Sequence, residues 1–253
     1  MGRNAKDRNA KDEPRAPAAP RTHRVNLADQ AYDQAEELIV TCVLRPGQYL
    51  SIQDLQTMIG SGRTPAHQAV SRLASDTLIQ VRPRHGLQVP PIDLARERVL
   101  LPLRRDMERF VVRLATTRSG PAHRTQMRHI ARTLRERRDG MTIGAFNQLD
   151  RRIDALLAAA SGEKFVETTL RPLHTIFRRV GWIYHSWVRP EEGLDGTIDC
   201  HLAILDAVAA GEIRQAVTAS DALIGFSGGM LDVIEAEIDP ALLDCNLAPL
   251  AAD

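Results

Sequence analysis

Apolar positions along this chain recur mostly at helical spacing. Ala31, Ala35, Leu38, Ile39 and Cys42 line one face of a helix that begins after Asn26. Arg45-Pro46-Gly47 is a turn signal that should stop it. Ser51, with Asp54 three residues on, reads as a helix start close to a capping box. Leu55, Met58 and Ile59 supply a short apolar face there, and Gly60 ends it. A third helix is predicted from Thr64-Pro65, with Thr64 as cap and Pro65 in the first turn. Its inner face is Ala66, Ala69, Val70 and Leu73, while His67, Gln68, Ser71 and Arg72 face outward. Two β-prone pieces, 78–81 and 87–89, then flank a hairpin tip of Arg82-Pro83-Arg84-His85-Gly86. Pro90-Pro91 stiffens the chain and marks a domain boundary.

From there to about residue 240 the pattern is helical throughout. Leu100, Leu103, Met107, Phe110, Val111 and Leu114 line one helix, and Phe146, Leu149, Ile153, Leu156 and Leu157 line a later one. Helices over about 163–188, 195–210 and 212–238 are punctuated by Gly162, Gly193 and Gly211. Gly225, Gly228 and Gly229 should weaken or kink the last of them. The fold class expected is mostly α: a winged helix-turn-helix domain over 25–91, then an all-α helical bundle over 92–240 and a C-terminal tail over 241–253.

Composition narrows the function. The 253 residues carry 33 Lys+Arg against 32 Asp+Glu, with 43% hydrophobic residues, enough to bury a sizeable core. No apolar run or leader-like core suggests a membrane span or secretion, so no membrane partner and a cytoplasmic location are expected. Cys42, Cys200 and Cys245 are too scattered for a zinc ribbon or a redox pair. The charge is unevenly spread. Residues 1–24 hold seven Lys/Arg against three acids and almost no large apolar side chains, which predicts a disordered basic tail. From Arg63 to Gly86 there are four arginines and a single acid, Asp76.

That second stretch carries chemistry. A helix fits the major groove of B-DNA if its outer face is polar, poor in acids and able to hydrogen-bond bases and phosphates. His67, Gln68, Ser71 and Arg72 qualify, with Arg63 and Thr64 at the helix start. Arg82, Arg84 and His85 on the wing tip would meet the adjacent backbone or minor groove, and Gly86 would permit close approach.

These residues carry a resemblance. Leu44-Arg45-Pro46-Gly47-Gln48-Tyr49-Leu50, then Arg63-Thr64-Pro65, then Ala69 to Leu73, then His85-Gly86-Leu87-Gln88-Val89 resemble the reader domain of the GntR family of bacterial transcription regulators. The departures are Gly62 for the family's serine, His67 for its helix arginine and Gln68 for its glutamate. The resemblance implies a homodimer bound to double-stranded operator DNA.

The helical part looks like the FCD domain of the FadR subfamily, which implies a small effector, commonly an organic acid, and in many members a divalent metal. Arg104 and Glu108 resemble that family's R-x-x-x-E, and Arg104 could clamp an effector carboxylate or simply pair with Glu108. Asp150 and His201 match two of the four metal ligands. Asp154 replaces the first histidine and Leu223 the last. The expected effector contacts are therefore Arg104, Asp150 and His201, and the candidate metal set is Asp150, Asp154 and His201. Two other readings use the same residues. One is a metal-dependent hydrolase built on the candidate metal set, though no further nucleophile or acid/base motif accompanies it. The other is a winged-helix module for protein contacts. A catalytic role is not expected.

Overall fold

The computed structural model describes residues 26–247. The basic tail expected over 1–24, and the last six residues, lie outside this range.

The first helix, α1 (Leu27–Val40), is capped by Asn26 and ends earlier than the Pro46-Gly47 turn. Cys42 adopts φ +55, the left-handed turn that usually takes glycine, and the Leu44 N–H bonds back to the Leu38 carbonyl. A short strand, β1 (Tyr49–Leu50), follows, which the apolar pattern did not reveal. Next come α2 (Ile52–Met58), with the Ser51–Asp54 capping box formed in both directions, and α3 (Arg63–Ser75). The hairpin strands are β2 (Gln80–Arg82) and β3 (Gly86–Gln88), each displaced a residue or two from its predicted span. All three strands form one antiparallel sheet in the order β1-β3-β2, with Leu50 opposite Leu87 and Val81 opposite Leu87 on its other edge. Gly86 takes φ +82, and a Cβ there would sit 2.7 Å from the Leu50 carbonyl oxygen. Its first requirement is therefore the β1–β3 approach, not access to a ligand.

The second part is helical. It comprises α4 (Leu94–Arg118), α5 (Pro121–Glu136), α6 (Ile143–Ser161), α7 (Lys164–Ile183), α8 (Asp195–Ala210) and α9 (Ile213–Glu237). Helix α7 carries Pro172 internally and runs into a π-helical turn at Tyr184–Val188. Helix α9 is continuous past Gly225, Gly228 and Gly229, where a kink was expected. By length and mean hydropathy α9 alone among the described helices would suffice to cross a bilayer. Here it packs along α4 and α8 and buries Ala216, Ile224, Leu231 and Ile234.

Two cores result. One lies inside the bundle. The other joins Ala35, Ile39, Leu73 and Leu87 of the N-terminal part to Ile176, Phe177, Val180 and Ile183 of α7, so the two parts share buried apolar surface. The segment after Glu237 is no free tail within the described range. Helix α10 (Pro240–Leu243) forms, the Ile92 N–H donates to the Leu243 carbonyl, and the Cys245 N–H to that of Pro46. Gly47, at φ +81, leaves the room that the Asp244 carboxylate occupies.

Candidate DNA interface and sensor cavity

Helix α3 is held by Ala66, Ala69, Val70 and Leu73, all buried. Arg63, Thr64, His67, Gln68, Ser71 and Arg72 are exposed, as are Arg82, Arg84 and His85 on the wing. The helix begins one residue before Thr64. Its N-cap is Gly62, which makes no side-chain capping bond. Thr64 therefore does not cap the helix. Pro65 has no N–H and the Ala66 N–H bonds to the Gly62 carbonyl, so the Arg63 and Thr64 N–H groups are the ones left to hold a phosphate oxygen together with the helix dipole.

The exposed residues are not equivalent. Arg63, Thr64, His67, Gln68 and Ser71 have no side-chain partner among the described residues. Arg72 folds back onto α1, with its Nη1 2.5 Å from Asp29 Oδ1 and its guanidinium 4.5 Å from the centre of the Tyr32 ring. The Tyr32 hydroxyl in turn donates to Asp76, so the one acid of this stretch is engaged inside the domain. On the wing, Arg82 Nε donates to Gln88 at 2.9 Å, His85 stands edge-on to Tyr49, and Arg84 takes φ +66 at the tip.

In the bundle, the expected effector and metal residues come together in a buried chain of charge. Arg104 lies 3.4 Å from Glu108 and stacks 4.9 Å over Phe177. Glu108 accepts from His174 Nε2 at 2.8 Å, and His174 Nδ1 lies 3.2 Å from Asp154. Arg178 donates through Nη2 to Asp154 at 2.6 Å and through Nε to Asp150 at 2.8 Å. Asp150 then meets His201 Nε2 at 2.9 Å, and His201 Nδ1 donates to the Thr197 carbonyl at 2.7 Å. Both nitrogens of each histidine face oxygen atoms, an arrangement that favours the protonated ring. Their pKa values rise although burial opposes it, because the carboxylates beside them outweigh burial. Burial likewise works against ionisation of Asp150, yet Arg178 and then His201 hold it well below the usual carboxylate range. Glu108 is pulled down to about 2 against burial by His174 and Arg104. Asp154 goes the other way, to about 6. Its burial is the largest cause, and Asp150 and Glu108 nearby add to it.

This arrangement answers the metal question. Asp150, Asp154 and His201 do converge as the spacing suggested, but the site does not fit a divalent cation. The guanidinium of Arg178 bridges the two carboxylates where such an ion would sit, and Leu223, at the position of the fourth ligand, offers no donor atom. No group of three or more metal-ligating side chains with suitable geometry occurs among the described residues.

A cavity of about 50 Å³ adjoins the chain, lined in part by Arg104, Asn147, Asp150 and His201. The Asn147 side chain is buried and its Nδ2 has no partner among the described residues. With both histidines protonated, four cations (Arg104, His174, Arg178, His201) face three carboxylates, an excess of one positive charge. His174, Arg178 and Asn147 were not singled out from the sequence. Their one signal is position: His174 and Arg178 are an i, i+4 pair on the buried face of α7.

A winged helix-turn-helix joined to a helical bundle with a polar cavity defines a one-component regulator, a DNA reader carrying its own sensor. The chain belongs to the GntR family of bacterial regulatory proteins. That family's model matches residues 27–89, and the FCD domain model matches 99–226. It is a transcriptional regulator with an FCD effector domain. It is 29% identical over 182 residues to the HTH-type transcriptional repressor RspR of Escherichia coli K12, covering 71% of this chain and 77% of that one. It is also 29% identical over 199 residues to an HTH-type transcriptional regulator from an unstable DNA locus of Streptomyces ambofaciens, covering 78% of this chain and 80% of the relative. Among solved structures, the fold matches McbR/YncC of E. coli with a TM-score of 0.71 at 18% identity, covering 83% of this chain and 98% of that one. A GntR regulator of Rhodococcus sp. RHA1 matches at 0.59 and 17%, over 83% and 99% of the two chains.

Proposed function

We propose that this protein is a ligand-responsive regulator in the bacterial cytoplasm that binds operator DNA as a homodimer and senses a small organic acid in its helical bundle. The observation that carries the DNA reading is the outer face of α3. Arg63, Thr64, His67, Gln68 and Ser71 stand exposed and unpartnered beside an uncapped helix start. Arg63 and the free N–H groups suit phosphate or guanine, Gln68 suits adenine, and Arg84 and His85 on the wing reach the flanking backbone. His67 in place of the family's arginine lowers the charge offered to DNA, and with it the expected salt slope.

Dimerisation is supported by a stripe on α4. Val99, Leu103 and Phe110 share one helix face and are 75%, 51% and 51% exposed. An apolar stripe of that kind suits a second copy of the chain and would set two α3 helices on half-sites of a pseudo-palindrome.

The effector reading rests on the spare positive charge beside Asn147. A carboxylate there would neutralise the charge and satisfy the orphaned amide, with Arg104, Asp150 and His201 closest to hand. Effector binding then acts by favouring one pose of the two readers over the other. The hydrolase alternative loses its metal to Arg178, and no observation favours a protein-contact role for the wing.

Binding of the purified full-length protein to an array of double-stranded sequences, with its mass in solution measured in parallel, tests this reading. Sequence-selective binding by a dimer is expected. A protein that binds no sequence above background, or binds only as a monomer, would overturn it.

A further inference from the structure

A larger cavity, about 250 Å³, opens on the other side of the His174–Asp154–Arg178 wall, at the junction of reader and sensor. Its floor is apolar, with Val111, Leu157 and Leu170 among the lining residues, and its polar rim includes Arg151 and Arg171 of the sensor and Glu36 of the reader. Glu36 is only 3% exposed by side chain. Arg171 Nη2 donates to it at 3.1 Å, Arg151 Nη1 lies 3.3 Å away, and the Thr175 hydroxyl donates to its other oxygen. A carboxylate from the DNA-binding part thus sits, fully liganded, in an arginine-lined socket of the sensing part.

We propose that this junction cavity is a second binding site, for a monocarboxylate with an apolar tail, and that such a ligand competes with Glu36 for Arg151 and Arg171. Three observations carry the chemistry. The two arginines and Thr175 form a carboxylate socket whose present occupant is a carboxylate, so exchanging one for another keeps the charge balance. Arg151 Nε is buried without a partner, so the socket has a donor to spare. Of the other acids that line the cavity, Glu108 and Asp154 are engaged by His174 and Arg178, Asp33 by Arg171, and Glu167 is exposed; Arg151 and Arg171 are the cations placed to hold an incoming anion. The apolar floor and a volume just below the ~300–1,000 Å³ of drug-sized pockets suit a small body, of roughly eight to twelve heavy atoms.

The site is wired to the reader. Asp33, Glu36 and Glu37 of α1 all pair across the junction, with Arg171 or Arg151. Displacing Glu36 removes the most buried of these links. The apolar core shared by α1, α3 and α7 keeps the two parts together, so the exchange re-aims the reader instead of releasing it. Seated Glu36 and bound ligand are mutually exclusive, so Glu36 lowers the ligand's apparent affinity by the fraction of time it occupies the socket.

The competition can be measured without DNA, so its failure is separable from failure of the DNA reading, on which only the link to regulation rests. Octanoate and, as the uncharged control, octanol are titrated calorimetrically into the full-length wild type, E36Q and D33N. Octanoate should bind once per chain, with octanol at least ~10-fold weaker, the size of one charged hydrogen bond. E36Q should bind octanoate roughly 10-fold more tightly than wild type. D33N, which relieves Arg171 of an exposed partner and leaves the buried socket intact, should tighten binding by about 2- to 3-fold and guards against misfolding of E36Q. Equal affinity for octanoate and octanol, no binding to any of the three proteins, or unchanged octanoate affinity in both variants would each overturn the proposal.

Discussion

The two parts of this molecule use charge in opposite ways. On the reader, Arg63, His67 and Gln68 stand exposed on a helix whose other face is packed, and nothing within the described residues engages their side chains. In the sensor, Arg104, Glu108, His174, Asp154, Arg178, Asp150 and His201 are linked end to end and shielded from water. The first arrangement leaves its hydrogen-bonding capacity for a partner. The second spends nearly all of it internally, so its charges hold one conformation in place and leave only a small surplus for a ligand.

The largest effect should come from cutting the closed chain at its centre. Arg178 is 4% exposed by side chain and bridges two carboxylates. R178A would leave Asp150 and Asp154 buried together without their common cation, and losing one partner of a buried pair typically destabilises by about 3–5 kcal/mol. Urea denaturation of wild type and variant measures this. The same variant tests whether the guanidinium occupies a cation's place. Zn²⁺ should raise the melting temperature of R178A, through Asp150, Asp154, His174 and His201, and leave wild type unchanged. Stoichiometric metal uptake by the wild type would show that the chain of charge is not closed as described.

The same contrast explains what could be read in advance. The reader was legible because its signals are local: the Ser51–Asp54 box, the inner face of α3 and the polar outer face all follow from spacing within a dozen residues. The two-residue strand β1 escaped because its only signal is pairing with β3, far along the chain. In the sensor, Asp150, Asp154 and His201 were correctly placed near one another, but their role was not visible. What decides it is Arg178, which comes from another helix, and one arginine among many in a charged sequence carries no mark of where its side chain ends. The docking of Cys245 on Pro46 was likewise out of reach, because that contact spans almost the whole chain.

The junction between the two parts holds an intermediate case. Glu97 of α4 is 5% exposed and its Oε2 has no partner among the described residues. Burial pushes its pKa from the ordinary 4.5 up to about 7, with Arg179 and Arg96 only partly opposing. Between those two pH values the folded protein keeps a proton that the unfolded chain releases, so this residue makes stability fall as pH rises from about 4.5 to about 7. The full penalty, reached above pH 7, is roughly 3 kcal/mol. E97Q removes the titration. Its stability relative to wild type should be near zero at pH 4 and favourable by up to that amount at pH 8, by denaturation across the range. A difference that does not change with pH would mean that Glu97 is solvated or paired, and would place it with the engaged charges of the bundle.

The smallest effect separates residues within the reader itself. Arg63 and Arg72 are both exposed on α3 and both were expected to contact DNA, yet Arg72 is already committed to Asp29 and the Tyr32 ring. If the free protein is preorganised, R63A should weaken binding to a selected operator by about 1–3 kcal/mol, and should flatten the salt dependence by about one unit if the lost contact is to phosphate. R72A should change affinity by less than about 5-fold, because an exposed pair contributes about 1 kcal/mol or less to anything it supports. D29N distinguishes the remaining case. If DNA draws Arg72 away from Asp29, removing that competing carboxylate should tighten binding, and R72A should then resemble R63A in both affinity and salt slope. Fluorescence anisotropy at several salt concentrations reads all three variants. Equal losses in R63A and R72A would show that the recognition face is completed only on DNA, and that the reader, like the sensor, holds part of its charge in an internal pair until a partner arrives.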